Sequence, residues 1–171
     1  MQSMENKISF LEDKPEETLE STLKALWFAA YGIPKSAEAA MESELPQLNN
    51  LHSEKLQELI EIRLNNTPLS HITGRQRFMG IDFLCDHRAL IPRKETEILG
   101  RKALAISEEL SLGKEKINVF DICCGAGNLA LSIASQNPKT FVYATDLSFD
   151  AVDLTRENII YLNQNNRVAA M

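Results

Sequence analysis

The chain has 171 residues, with 18 Lys plus Arg against 24 Asp plus Glu and a formal net charge of −6. Hydrophobic residues make up 44% and charged residues 25%, which excludes a disordered tail, a fibrous protein and a basic protein that coats nucleic acid. No apolar run approaches the roughly 20 residues of a membrane span, and the first ten residues lack the apolar core of a signal peptide. We therefore expect a cytoplasmic protein with no membrane partner.

The first third of the sequence predicts helices. Over 16–31 apolar residues recur every three or four positions, and Gly32 follows as a stop signal. Ser36 is the expected N-cap of a short second helix, and Ser53 that of a third. Residues 1–66 are therefore predicted to form a helical domain.

The next segment has a different pattern. Two short strands are expected around a turn at 85–87, one over 78–83 and one over 89–91. We therefore assign 67–94 to a linker with a β-hairpin. A helix over 95–110 follows, and its predicted apolar face consists of Ile98, Leu99, Ala103, Ile106 and Leu110.

The last third alternates strands and helices. Strands are predicted over 117–122 and 140–145, and helices over 128–136 and 149–162. Such alternation is typical of a parallel, doubly wound sheet with right-handed crossovers. We therefore predict an α/β protein in which residues 95–171 form the first part of a Rossmann-like sheet.

A glycine-containing turn joins the first of these strands to the first helix. Its residues are Asp121, Ile122, Cys123, Cys124, Gly125, Ala126 and Gly127. The glycines let the backbone approach a ligand closely, and the helix N-terminus behind them supplies unpaired N–H groups. Asp146, at the end of the second strand, is placed to accept both ribose hydroxyls of a nucleotide-like cofactor.

Two classes of cofactor fit this turn. The spacing of Gly125, Gly127 and Ala130 also satisfies the pattern of nicotinamide dinucleotide enzymes, which alone is a weak signal. Asp121 discriminates between the classes, because a fixed carboxylate repels a pyrophosphate but attracts the ammonium group of S-adenosylmethionine. The residues therefore favour S-adenosylmethionine, while an Asp121 that only caps the turn is the structural alternative. The three cysteines have neither disulfide nor zinc-site spacing, so no metal site is predicted.

Four segments carry motifs that resemble known ones. Residues 121–127 and 146–151 resemble the first two motifs of class I S-adenosylmethionine-dependent methyltransferases. Residues 68–74 (PLSHITG) and 90–97 (LIPRKETE) are similar to the P-x-x-H/Y-x-x-G and L-I-P-R-x-x-T-E motifs of the peptide chain release factor N5-glutamine methyltransferases. The resemblance covers the whole chain in the family's order, and the Thr-Glu pair argues against the sister family that acts on a ribosomal protein.

The resemblance implies transfer of a methyl group from S-adenosylmethionine to a glutamine side-chain amide in class-1 peptide chain release factors. It implies a helical domain that docks the release factor, with no direct contact to nucleic acid. The implied cofactor contacts are Asp121, Cys123, Cys124, Gly125, Ala126, Gly127, Asp146 and Leu147. The implied pocket wall consists of Arg93, Thr96 and Glu97.

The chain departs from the family at two points. Cys123 stands where the family's loop has its first glycine, and a cysteine is strained there if the position needs a positive φ. The family's Asn-Pro-Pro-Tyr motif, which grips the glutamine amide, is absent from the 171 residues. We therefore expect a C-terminally truncated chain that is inactive alone and has no catalytic residue to name. Its two-stranded sheet is expected to expose one edge of the strand over 117–122, which favours self-association.

Three other functions share parts of this pattern. A methyltransferase of nucleic-acid base amino groups also uses the missing motif, but its substrate predicts a more basic surface than a net charge of −6 provides. A non-catalytic binding protein that keeps the docking helices and a vestigial loop is the second. A nicotinamide dehydrogenase is the third.

Overall fold

The computed structural model describes residues 14–171, which form two compact units. One unit ends at Arg77 and the other runs from Phe78 to Met171. The first unit is helical, as predicted, and its described helices are α1 (Leu19–Tyr31), α2 (Ala37–Met41), α3 (Asn50–Leu64) and α4 (Leu69–Thr73). The three-part division at residues 66 and 94 stays a prediction.

Of the two N-caps predicted from the sequence, one is confirmed and the other is wrong. The Ser36 side chain accepts the N–H of Ala39 and caps α2, as predicted. The prediction of Ser53 as the N-cap of α3 is wrong, because Asn49 holds that position and accepts the N–H of His52 at 2.9 Å. Ser53 lies inside the first turn, where its hydroxyl donates to the Asn49 carbonyl. An asparagine four residues upstream therefore starts the helix earlier than the serine predicts.

A tight hairpin forms in the segment where two strands separated by a longer turn were predicted. Strands β1 (Arg75–Phe78) and β2 (Ile81–Leu84) pair with each other. Met79 and Gly80 join them with φ values of 49° and 81°, as a two-residue hairpin turn requires. The predicted strand over 89–91 is therefore wrong, since the second strand of the hairpin has already ended at Leu84.

Helix α5 (Lys94–Leu110) follows the predicted helix closely, but its predicted apolar face is wrong. Four of the five predicted residues are exposed, with Ile98 at 74%: Ile98, Leu99, Ile106 and Leu110. The buried residues of α5 are instead Glu97, Gly100 and Ser107. Gly100 packs against the Met79 side chain, which leaves no room for a Cβ at this position.

The second unit contains a parallel sheet in the order β3-β4-β5. Its strands are β3 (Ile117–Ile122), β4 (Thr140–Thr145) and β5 (Val168–Ala170). Helices α6 (Asn128–Gln136) and α7 (Phe149–Tyr161) connect them, as the sequence predicts. The prediction of only two strands is wrong, because a three-residue strand is too short to show a periodic pattern.

The centre of this sheet is buried, whereas each of its edge strands, β3 and β5, pairs on one side only among the described residues. Val142 and Ala144 on β4 are fully buried against α6 and α7. Among the described residues, β3 pairs with β4 alone, and its Phe120 and Ile122 side chains are 67% and 75% exposed. The predicted exposed edge of this strand is therefore present. None of the helices that the structure describes is long and apolar enough to cross a membrane.

Candidate cofactor site

The loop between β3 and α6 crosses the carboxyl ends of two parallel strands. The Cys124 N–H donates to the Thr145 carbonyl at 2.9 Å, so the loop continues along the end of β4. The Gly127 N–H donates to the Cys124 carbonyl at 2.9 Å and closes the turn from which α6 starts. Gly125 and Gly127 have φ values of 56° and 77°, a conformation that favours glycine. We call residues 121–127 the cofactor loop.

Asp146 lies beside the cofactor loop, as predicted from the sequence spacing. Its Oδ2 accepts the Gly125 N–H at 2.9 Å, and its Oδ1 accepts the Ser148 N–H at 3.0 Å. Hydrogen bonds from Ser148 and then from Gly125 lower the pKa of Asp146, so this carboxyl is ionised at neutral pH. A carboxylate has about four acceptor positions, so capacity remains for hydroxyl groups of a ligand.

Asp121 lies at the carboxyl end of β3. Its Oδ2 accepts the N–H of Ala130 in the first turn of α6 at 3.0 Å, so it does cap that helix, as the structural alternative states. Burial raises the pKa of Asp121, and the negative charge of Asp146 raises it further. A cationic group beside these two carboxyls would stabilise both charged forms.

Two apolar side chains next to Asp146 are almost fully exposed. Leu147, one of the predicted cofactor contacts, is 98% exposed, and Phe149 is 86% exposed. Large apolar side chains at the mouth of a glycine loop offer a surface against which a flat ring can pack. Together with the two carboxyls and the α6 N-terminus, they fit a ligand that carries a ribose, a base and a cationic end.

Cys123 occupies a strained backbone position. Its φ is +64°, and its side chain is exposed. The predicted strain at this position is therefore confirmed, because a residue with a Cβ pays about 1–2 kcal/mol in the left-handed region. The side chains of Cys124 and Ala126, two other residues of the loop, are buried.

Replacing Cys123 by Gly is expected to raise the free energy of unfolding by roughly 0.5–1 kcal/mol, since relief of strain exceeds the backbone entropy that glycine adds to the unfolded chain. Urea denaturation measures the change. Cys123→Ala is the matched control, because it removes the thiol and keeps the Cβ, and should give no gain. A Gly variant no more stable than the Ala variant would contradict the account.

Two side chains that contact the loop were not predicted from the sequence. Thr155 and Asn158, both fully buried on α7, donate hydrogen bonds to carbonyls of Gly125 (2.8 Å) and Ala126 (3.0 Å). The available signal was a pair of polar residues three positions apart on the buried face of an amphipathic helix.

The predicted pocket-wall residues lie at the start of α5. Arg93 is its N-cap residue, and the Arg93 carbonyl accepts the N–H of Thr96 at 3.1 Å. Glu97 is buried; its Oε1 accepts the Met79 N–H at 2.9 Å, and it also pairs with Lys94. Glu97 therefore holds the hairpin turn against α5. That any of the three walls the cofactor pocket stays a prediction.

Replacing Glu97 by Ala is expected to lower the free energy of unfolding by about 1–3 kcal/mol, because the buried Met79 N–H loses its acceptor. Affinity for a cofactor product should stay within twofold, since the described contacts of Glu97 are with the hairpin turn and with Lys94 and Arg101 of its own helix. Glu95→Ala, an exposed carboxylate on the same helix turn, is the control and should leave stability unchanged. A large loss of affinity in Glu97→Ala would place this residue in the pocket after all.

Comparison with known proteins finds a family that matches most of the second unit. Residues 103–170 match the methyltransferase small domain family. This segment of the chain is similar to that family. The match begins within α5 and runs through the cofactor loop to β5, so it covers both candidate carboxylates. The predicted class of fold, a partial class I methyltransferase preceded by helices, is therefore confirmed.

Similarity to individual curated proteins extends over more of the chain. A release factor glutamine methyltransferase of Deinococcus radiodurans is 46% identical over 99 residues, which are 58% of this chain and 34% of the relative. One of Clostridium botulinum is 35% identical over 118 residues, 69% of this chain and 40% of the relative. A bifunctional methyltransferase of Rickettsia felis is 28% identical over 171 residues, 86% of this chain and 32% of the relative. The chain thus spans about a third of the length of these curated relatives.

Proposed function

We propose that these residues form the substrate-docking and cofactor-binding part of an S-adenosylmethionine-dependent methyltransferase that modifies a glutamine amide of a class-1 peptide chain release factor. The observation that carries the cofactor is the Asp146 carboxylate on the Gly125 N–H, with Asp121 on the neighbouring strand end. Similarity to two release factor glutamine methyltransferases supports the substrate.

The site's chemistry suits a sulfonium cofactor better than a dinucleotide. S-adenosylmethionine supplies an electrophilic methyl group when bound. Asp146 would hold its ribose hydroxyls, Asp121 would face its ammonium group, and Leu147 would pack on its base. A pyrophosphate in the same place would meet Asp121 and Asp146, two carboxylates, which argues against the nicotinamide alternative.

Methylation of an amide depends on positioning, because the amide nitrogen is a poor nucleophile. Holding that nitrogen in line with the methyl group in a dry pocket supplies several kcal/mol or more of the barrier. The 171 residues contain no Asn-Pro-Pro-Tyr motif to hold the amide. We therefore propose that this chain alone binds the cofactor and transfers no methyl group. Cofactor binding and methyl transfer are accordingly tested in separate experiments.

Calorimetry with the 171-residue chain tests the cofactor directly. S-adenosylhomocysteine, the demethylated product, should bind at least tenfold more tightly than NAD. Tighter binding of NAD, or no binding of either compound at millimolar concentration, would reject the proposed cofactor. A methyl-transfer assay on a release factor should give no product with the chain alone, and measurable product would reject the proposed inactivity.

We further propose that the helical unit docks the release factor through exposed apolar side chains. Leu51 on α3 is 71% exposed, and Leu45 and Ile62 are also exposed on this unit. Leu51→Glu is expected to weaken capture of a release factor at least fivefold, because a charge replaces an apolar contact in a desolvated interface. Leu112→Glu changes an equally exposed leucine in the other unit and should have no effect. Equal capture by both variants would contradict this docking surface.

A further inference from the structure

Two side chains of α7 contact the cofactor loop from inside the protein. Thr155 Oγ1 donates to the Gly125 carbonyl at 2.8 Å, and Asn158 Nδ2 donates to the Ala126 carbonyl at 3.0 Å. Both side chains are fully buried. A loop carbonyl that loses such a donor in a buried place stays desolvated and unpaired, which is costly.

The shape of the loop depends on the same helix. A Cβ at Gly127 would lie 2.7 Å from Thr155 Cγ2, so the loop approaches Thr155 as closely as a glycine allows. The Cys124 Sγ atom lies 3.6 Å from Thr155 Oγ1. Thr155 therefore lies against the loop at three of its residues, Cys124, Gly125 and Gly127.

Asn158 also binds a second element. Its Oδ1 accepts the Leu84 N–H at 2.7 Å, and its Nδ2 donates to the Leu84 carbonyl at 3.1 Å. With the bond to Ala126, both amide hydrogens and the amide oxygen are used. One buried side chain thus joins the end of β2 to the cofactor loop.

We propose that Thr155 and Asn158 are positioning residues: they hold the cofactor loop in the geometry that binds the cofactor, and Asn158 links that geometry to β2. Both side chains are buried, so we assign neither a contact with the cofactor. The Gly125 bond to Asp146 and the position of Asp121 at the start of the loop set where the ligand's charges meet the protein. Displacement of the loop from α7 would therefore misplace these carboxylates. The affinity part of this inference rests on the proposed function, whereas the loop geometry does not.

The affinity test uses two substitutions that separate the hydroxyl of Thr155 from its shape. Thr155→Val removes the hydroxyl and should weaken binding of S-adenosylhomocysteine about tenfold, while Thr155→Ser keeps the hydroxyl and should stay within twofold of wild type. Leu154→Ala is the control, because it removes a buried side chain of the same helix that can make no hydrogen bond to the loop. It should lower the melting temperature without lowering affinity. Equal affinities of the Val and Ser variants, or an equal loss in Leu154→Ala, would overturn the proposal.

Amide hydrogen exchange tests the loop geometry without a ligand. Thr155→Val and Asn158→Leu should speed exchange of the Gly125 and Gly127 amides at least tenfold, and Asn158→Leu should also speed exchange at Leu84. The interior amides of α6 should be unchanged. Faster exchange spread evenly over the second unit, or unchanged exchange in the loop, would overturn the proposal. A wild-type chain that fails to bind S-adenosylhomocysteine while the loop effect is present would reject the proposed function alone.

Discussion

Replacing Asp146 by Ala is expected to lower affinity for S-adenosylhomocysteine by a factor of 30 or more, the largest effect that we predict at the site. The substitution removes the acceptor of the Gly125 N–H and of the Ser148 N–H, and it removes the acceptor proposed for the ribose. Two charge-assisted hydrogen bonds to the ligand account for a loss of about 2–4 kcal/mol.

Two variants make the result for Asp146 specific. Asp150→Ala removes an exposed carboxylate from the first turn of α7 and should leave affinity within twofold. Asp146→Asn keeps one oxygen and should lose less affinity than the Ala variant. Unchanged affinity in Asp146→Ala would show that the ligand binds elsewhere. An equal loss of affinity in Asp150→Ala would show that the net charge of the protein alone determines the affinity.

Asp146 also makes stability depend on pH. Because its pKa is lowered in the folded chain, the ionised carboxylate stabilises the fold above its ordinary pKa of about 3.9, and this contribution is lost as the pH falls through the folded-state value. Asp146→Asn should therefore flatten the decrease in unfolding free energy below about pH 4. A variant that loses stability on acidification as steeply as wild type would contradict the assignment.

Replacing Phe120 by Lys is expected to convert a self-associating chain into a monomer. Among the described residues, the outer edge of β3 presents unpaired N–H and C=O groups beside exposed apolar side chains. The groove between β3 and α5 adds Ile106 and Leu110 to the exposed apolar surface. Such an edge pairs with another chain unless a charge or a bulge prevents it. We therefore propose that the 171-residue chain associates through β3.

Sedimentation velocity at increasing concentration measures this association. Wild type should form dimers or larger species at high micromolar concentration, and Phe120→Lys should remain monomeric. Ile160→Lys, which places the same charge on an exposed apolar position of α7, is the control and should associate as wild type does. A wild type that stays monomeric, or a Phe120→Lys variant that associates equally, would reject the edge as the interface.

Strands β3 and β4 and helices α6 and α7 of the second unit were predictable because each is long enough to show a pattern of its own, unlike the three-residue β5. Ile117–Ile122 and Thr140–Thr145 are short segments rich in apolar and β-branched residues between turn residues, and glycines and acids follow them. The sequence also placed Asp146 at the end of the second of these strands, and the structure joins it to Gly125 by a hydrogen bond that the sequence did not predict. Local pattern therefore sufficed for these elements and for the position of Asp146.

What the sequence did not predict depends on contacts between distant residues. The apolar stripe of α5 failed because Gly100 packs on Met79 and Glu97 bonds the Met79 backbone, so small and polar residues face inward. Thr155 and Asn158 were missed for the same reason, since their partners lie about 30 residues upstream. Periodicity describes one element at a time and carries no information on which loop that element supports.

The most direct test of the proposed cofactor site is a backbone amide NMR titration of the 171-residue chain. Addition of S-adenosylhomocysteine should shift the amides of Gly125, Gly127 and Leu147 first and most strongly, and NAD at the same concentration should leave them unchanged. The same titration of Asp146→Ala should abolish the shifts. Shifts confined to other parts of the chain, or equal shifts with NAD, would contradict an S-adenosylmethionine site in the cofactor loop.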